Sequence, residues 1–211
     1  LCYAYMYCAD HENINSITIQ ITYCNLETEE IRRLKQDKTR EELEEWFQGL
    51  IHEYVKWAKY LYHHTLRRNE SLRELQFPYE YRTGQKELAV SVYRALARRR
   101  NLFIQAPTGI GKTLSVVYPS LKSMGNGTGE KLFYLTAKTI TGSVAENCFS
   151  LLRGQGMLFT TVTVTAKEKL CPMEKTECNP EACPCAKGHF DRVNDAVFDI
   201  IHEQQGITRE I

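Results

Sequence analysis

The chain has 211 residues, 43% hydrophobic and 25% charged, enough to bury one sizeable core or two small ones and unlike a disordered chain. Its 27 Lys and Arg nearly balance 26 Asp and Glu, so a net charge of +1 does not announce a nucleic-acid binder, and any such contact must come from local patches. No apolar run approaches the roughly 18 residues of a membrane span and no signal-peptide pattern opens the chain, so a cytoplasmic protein without membrane contact is expected.

In chain order, residues 1–9 form an apolar, aromatic run that begins with Leu rather than Met, and residue 211 follows a helical stretch, so both ends are expected to be cut from a longer protein. Residues 17–26 alternate apolar and polar side chains with β-branched enrichment, which predicts a half-buried strand of a larger sheet. Thr39 and Glu42 have capping-box spacing. The stripe Leu43, Phe47, Leu50, Ile51, Tyr54, Val55 and Ala58 then predicts a long amphipathic helix. Pro78 marks a boundary near residue 76. Beyond Gly84 a helix is expected over 85–100, a short buried strand over 102–106 and a helix through Leu121. A strand over 131–136, a helix over 142–152 and a strand over 158–164 follow. Strands alternating with helices imply a parallel sheet of the α/β class.

The strongest chemical signal is the run Ala106, Pro107, Thr108, Gly109, Ile110, Gly111, Lys112, Thr113, set between a predicted strand and a predicted helix. It fits a phosphate-binding loop except that Ala106 stands where the general pattern has its first Gly. Glycines let successive N–H groups turn onto phosphate oxygens and the helix N-terminus adds its positive dipole end. Lys112 reaches the β- and γ-phosphates and the Thr113 hydroxyl can ligate magnesium. A bare glycine-rich turn would not need the Gly-Lys-Thr ending. The loop alone says nucleoside triphosphate.

Of the eight cysteines, Cys171, Cys178, Cys183 and Cys185 crowd together while Cys2, Cys8, Cys24 and Cys148 are scattered, which favours a metal site over a disulfide framework. Thiolates at such spacing bind zinc or an iron-sulfur cluster, and sulfur ligands by themselves do not separate the two. His63 and His64, beside Arg67 and Arg68, read as a solvated helix end.

The phosphate loop, with alanine first, resembles motif I of superfamily 2 helicases. Arg82, Thr83, Gly84 and Gln85 resemble the RxGQ element that these helicases place upstream, which implies that Gln85 reads the adenine edge and favours ATP over GTP. The text from Tyr134 to Thr139 resembles motif Ia, implying that Thr136, Lys138 and Thr139 hold the phosphates of single-stranded DNA. Strand-end threonines are also ordinary turn chemistry. The cysteines, following motif Ia, resemble the four-cysteine cluster domain of DinG/XPD-type iron-sulfur helicases. Lys169 to Cys171, Cys178 to Pro184 and Ala186 to Arg192 are similar to the bacterial DinG-like branch. This implies Cys171, Cys178 and Cys183 as ligands of a [4Fe-4S] cluster, with Cys185 or a cysteine beyond Ile211 as the fourth. Finally, Cys2 to Cys8 is similar to the end of the RecB-type nuclease-like domain that precedes some bacterial DinG-like helicases, with Tyr3 as the tyrosine of the Q-x-x-x-Y motif on its final helix, although an aromatic core helix fits equally well.

The resemblance implies residues 1–76 as the end of a nuclease-like domain with a connecting helix, 77–164 as the start of a RecA-like motor domain, and 165–211 as an incomplete iron-sulfur domain. It implies an ATP- and Mg2+-dependent DNA helicase tracking 5′ to 3′ on single-stranded and forked duplex DNA, in repair or replication, with residues 1–211 alone inactive. The competing classes are a metal-stabilised nucleic-acid-binding module with a vestigial nucleotide site, and a non-helicase P-loop ATPase or kinase.

Overall fold

The computed structural model describes residues 1–137 and 139–208, and the side chains of all of these except 139–141. The chain divides into two compact units, Leu1–Tyr62 and His63–Ile211. The break falls inside a continuous helix, whereas the Pro78 signal had placed it near residue 76.

In the first unit a short helix α1 (Cys2–Asp10) precedes a hairpin of β1 (Ser16–Cys24) and β2 (Ile31–Thr39), antiparallel with Ser16 opposite Thr39 and Cys24 opposite Ile31. The expected strand is present, but its partner is β2 rather than a larger sheet. The carboxamide oxygen of Asn25 starts the connecting turn by accepting N–H groups from Glu27 (2.9 Å) and Thr28 (3.2 Å). β2 went unread because its sequence, IRRLKQDKT, is charged on both faces. Its residues are almost all exposed, and pairing with β1 holds it. Ile17 and Ile19 pack toward a small core of Ala4, Cys8 and Leu43, while Ile21 and Tyr23 are exposed.

The capping box forms as expected. Glu42 N–H donates to the Thr39 hydroxyl (3.2 Å) and Thr39 N–H donates to the Glu42 carboxylate (2.9 Å), the bond that chiefly lowers the Glu42 pKa. Helix α2 then runs Arg40–Glu74, with Arg40 anchoring its start by donating to the carbonyls of His11 (2.7 Å) and Ile14 (2.8 Å). Tyr5 stacks on Phe47 with centroids 4.0 Å apart. The expected stripe has helical spacing but is unevenly covered: Leu43 is fully buried, whereas Leu50, Ile51 and Tyr54 are exposed.

In the second unit the helices α3 (Gln85–Ala97), α4 (Lys112–Gly125) and α5 (Thr139–Arg153) lie where the periodicity placed them. The core gathers Leu72 and Leu75, Val117, Leu121 and Met124 from α4, Cys148, Phe149 and Leu152 from α5, and Met157. α4 meets the end of α2 with almost no gap. A Cβ on Gly125 would stand 2.9 Å from Leu72 Cβ and 3.0 Å from Arg73 N. Carbonyls at the end of α2 are taken up by Lys122, which donates to Leu75 O (3.1 Å) and to Arg73 O, and by Tyr118, which donates to Leu75 O (3.3 Å).

The expected parallel sheet differs most from the structure. Residues 102–106 and 131–136 carry no ladder pairing, and Phe103 (95%), Leu135 (88%) and Val164 (91%) are exposed. The described residues contain one short parallel pair, β3 (Thr161–Val162) with β4 (Gly206–Ile207). Apolar runs report which side chains favour burial, whereas a strand also needs a neighbour's N–H and C=O groups, which run composition does not specify. Two further helices, α6 (Lys167–Leu170) and α7 (His189–Glu203), flank the cysteine segment.

Candidate functional site

The loop at 106–111 turns into α4 through two glycines in the left-handed region, Gly109 (φ 85°) and Gly111 (φ 84°). They are required for different reasons. A Cβ on Gly109 would meet nothing, so its demand is conformational alone, while a Cβ on Gly111 would lie 2.6 Å from the Gln85 Nε2. Gln85 is buried against the loop, and its carboxamide oxygen accepts the Arg82 N–H at 3.0 Å. The Arg82 guanidinium in turn donates to the Gly109 carbonyl. Arg82, Gln85 and the phosphate loop, separated by more than twenty positions in sequence, thus form one packed site. Ile110 closes it from the side, its Cδ1 3.5 Å from where a Gly84 Cβ would be.

Lys112, the first residue of α4, turns its ammonium back onto the loop and donates to the carbonyls of Ala106 (3.0 Å) and Pro107 (2.8 Å). The lysine therefore braces the loop from within. Both bonds are between a cation and neutral acceptors, so phosphate oxygens, carrying full charge, are better partners for the same ammonium. Thr108 lies at the exposed crest of the loop. The Thr113 hydroxyl lies 3.3 Å from the Tyr134 hydroxyl. The sequence reading missed this contact, although alternation along 131–136 carried the signal: Leu132 and Tyr134 pack on the core while Phe133 and Leu135 are exposed.

Of the three residues read as single-strand contacts, Thr136 is exposed beside a cleft of about 620 Å3 that runs between residues 130–136 and 159–164, also bordered by Arg68 and Lys131. Lys138 lies outside the described residues, as does the side chain of Thr139.

The cysteine segment is a series of turns. The Asn179 carboxamide oxygen accepts the Ala182 N–H (2.7 Å), and the Asn179 carbonyl accepts the Cys183 N–H (2.9 Å). Cys183 is buried, Cys171 partly so, and Cys178 and Cys185 are exposed; all four are free thiols. Among the described residues no three His, Cys, Asp or Glu side chains are gathered to hold a metal ion, so the expected set of Cys171, Cys178, Cys183 and Cys185 does not converge. Thiols without a metal have little mutual attraction, so nothing within the segment itself draws the four together. Lys167, at the start of α6, is held above the usual lysine range chiefly by its hydrogen bond with Cys178.

A stretch of 47 residues is 43% identical to a probable ATP-dependent helicase of Methanocaldococcus jannaschii. The match covers 22% of this chain and 7% of that protein, so the chain spans a small fraction of the relative's length. No family model matches the chain, and no solved structure is significantly similar to it. No helix among the described residues is long and apolar enough to cross a membrane.

Proposed function

We propose that this chain is the ATP-binding part of a DNA helicase of the DinG/XPD iron-sulfur type, with residues 77–164 contributing to a RecA-like motor domain and 165–211 to a cluster domain. The observation that carries the reading is the packing of Arg82 and Gln85 onto the phosphate loop, because that pairing distinguishes motif I with its upstream element from an isolated phosphate turn. In this reading Lys112 exchanges the carbonyls of Ala106 and Pro107 for the β- and γ-phosphates of ATP. Thr113 presents its hydroxyl to magnesium, and the N–H groups from Thr108 to Gly111 line the phosphates. Gln85 turns its carboxamide to the adenine edge. A second motor domain closes on the nucleotide, and opening and closing of that cleft ratchets a single strand past Thr136, Lys138 and Thr139 in the 5′ to 3′ direction.

The soft donor set in 171–185 fits a [4Fe-4S] cluster in its chemistry, with Cys171, Cys178 and Cys183 as ligands and Cys185 the nearest further thiolate. Such a cluster would supply a rigid cross-link to a segment otherwise built of turns.

The direct test is strand separation by the intact protein on forked duplexes bearing a 5′ or a 3′ single-stranded arm. ATP-dependent displacement from the 5′ arm is expected, and ATP hydrolysis without displacement from either arm refutes the helicase assignment. Base selection is tested separately. Gln85→Ala is expected to narrow the preference for ATP over GTP by about tenfold, the loss of one hydrogen-bonded pairing worth about 1.4 kcal/mol. The ratio of the two dissociation constants is the measurement, since any general loosening of the loop lowers both affinities alike. An unchanged ratio removes Gln85 from base recognition.

A further inference from the structure

We propose that Tyr134 is a positioning residue that couples the magnesium end of the nucleotide site to the single-strand contact. The inference rests on the helicase reading above and assigns a role to a residue outside both binding sets.

Tyr134 is tied at two points. Its ring is half-buried and packs on the core built from α4 and α5, while its hydroxyl stands 3.3 Å from Thr113 Oγ1. A threonine hydroxyl that offers its oxygen to a metal must direct its single proton elsewhere, and the Tyr134 oxygen is an acceptor placed to receive it. Tyr134 thereby selects the rotamer in which Thr113 presents a lone pair to magnesium. Its neighbours show which way the segment faces, since Leu132 packs on the same core while Phe133 and Leu135 are exposed at 78% and 88%. In an extended chain the next residue on the face of Tyr134 is Thr136, about 7 Å further along. Both border the 620 Å3 cleft that Arg68 and Lys131 also line. The same segment therefore carries a hydroxyl 3.3 Å from that of Thr113 and, two residues on, the Thr136 hydroxyl beside the cleft. A change in how Thr113 is held shifts Tyr134 and carries Thr136 with it.

The test measures coupling rather than rate. Anisotropy of a fluorescein-labelled oligo-dT is titrated with the intact protein, alone and with Mg2+ plus a non-hydrolysable ATP analogue. For the parent protein the oligonucleotide dissociation constant is expected to change by at least about fivefold on adding Mg2+ and analogue, the lower end of ordinary site-to-site coupling. The oligonucleotide must change the affinity for the analogue by the same factor. Tyr134→Phe, which keeps the packed ring and removes the oxygen, is expected to bring that factor below about twofold. Because the readout is a ratio, a uniform loss of affinity does not imitate this result. Leu132→Ala loosens the same segment without touching the hydroxyl, and is expected to lower the thermal midpoint while retaining the parent factor. The inference is overturned if Tyr134→Phe keeps the parent factor, if the parent factor is about one, or if Leu132→Ala abolishes it equally. A parent protein that binds neither the oligonucleotide nor the Mg2+-bound analogue ends the helicase reading itself, and this inference with it.

Discussion

Lys112→Ala in the intact protein is expected to reduce ATP hydrolysis by about 10²–10³-fold, or about 3–4 kcal/mol of transition-state stabilisation. The transferring phosphoryl group spreads charge over its oxygens, and the ammonium at the start of α4 is the nearest cation the loop supplies. The substitution also deletes the bonds from Lys112 to the carbonyls of Ala106 and Pro107, but these are exposed, and each contributes about 1 kcal/mol at most to the fold. The variant should therefore unfold close to the parent's temperature. Steady-state hydrolysis measured alongside a thermal melt separates the two effects. Turnover near the parent rate in a folded variant would end the motor hypothesis.

The second large effect concerns the thiols. Anaerobically purified intact protein is expected to be brown and to carry about four irons per chain, as a cubane cluster held by cysteine thiolates requires. Serine in place of Cys171, Cys178 or Cys183 should bleach it, since a neutral hydroxyl is a poor ligand for iron. Cys178→Ser is the cleanest of the three. Cys178 is exposed, whereas Cys183 is buried and its replacement also places a hydroxyl in a dry site. Nucleotide binding should survive these changes, because the phosphate loop and α4 are built from residues distant from the turns at 171–188. Cys185→Ser decides the fourth ligand: retained iron places that ligand elsewhere in the protein, and lost iron assigns it to Cys185. Stoichiometric zinc without iron under the same handling overturns the iron-sulfur assignment and leaves the reading of the phosphate loop intact.

Much of the fold and of the candidate site was legible because it is local. The capping box at Thr39 and Glu42, the helices after Gly84 and Lys112, and the glycines of the loop each follow from interactions within a few residues of the chain. What escaped was pairing at a distance. β2 is too charged to advertise itself, and its place follows from β1 and a turn begun by the Asn25 side chain. The apolar runs at 102–106 and 131–136 signal a wish for burial without naming a partner, and residues such as Phe103 stand exposed. The bond between Thr113 and Tyr134 joins positions 21 apart and could be found only through the alternation that turns Tyr134 inward.

Gly125 fixes how closely α4 can seat on the end of α2. α4 has Lys112 and Thr113 at one end and, about 20 Å away at 1.5 Å per residue, rests its last residue against the backbone of α2. No side chain fits at that position, because even a Cβ would stand 2.9 Å from Leu72 Cβ, 3.0 Å from Arg73 N and 3.1 Å from Asn69 O. α4 is thus seated at its far end by the absence of a side chain: a wedge as small as one methyl group there would part the two helices and loosen the core around Leu121 and Met124.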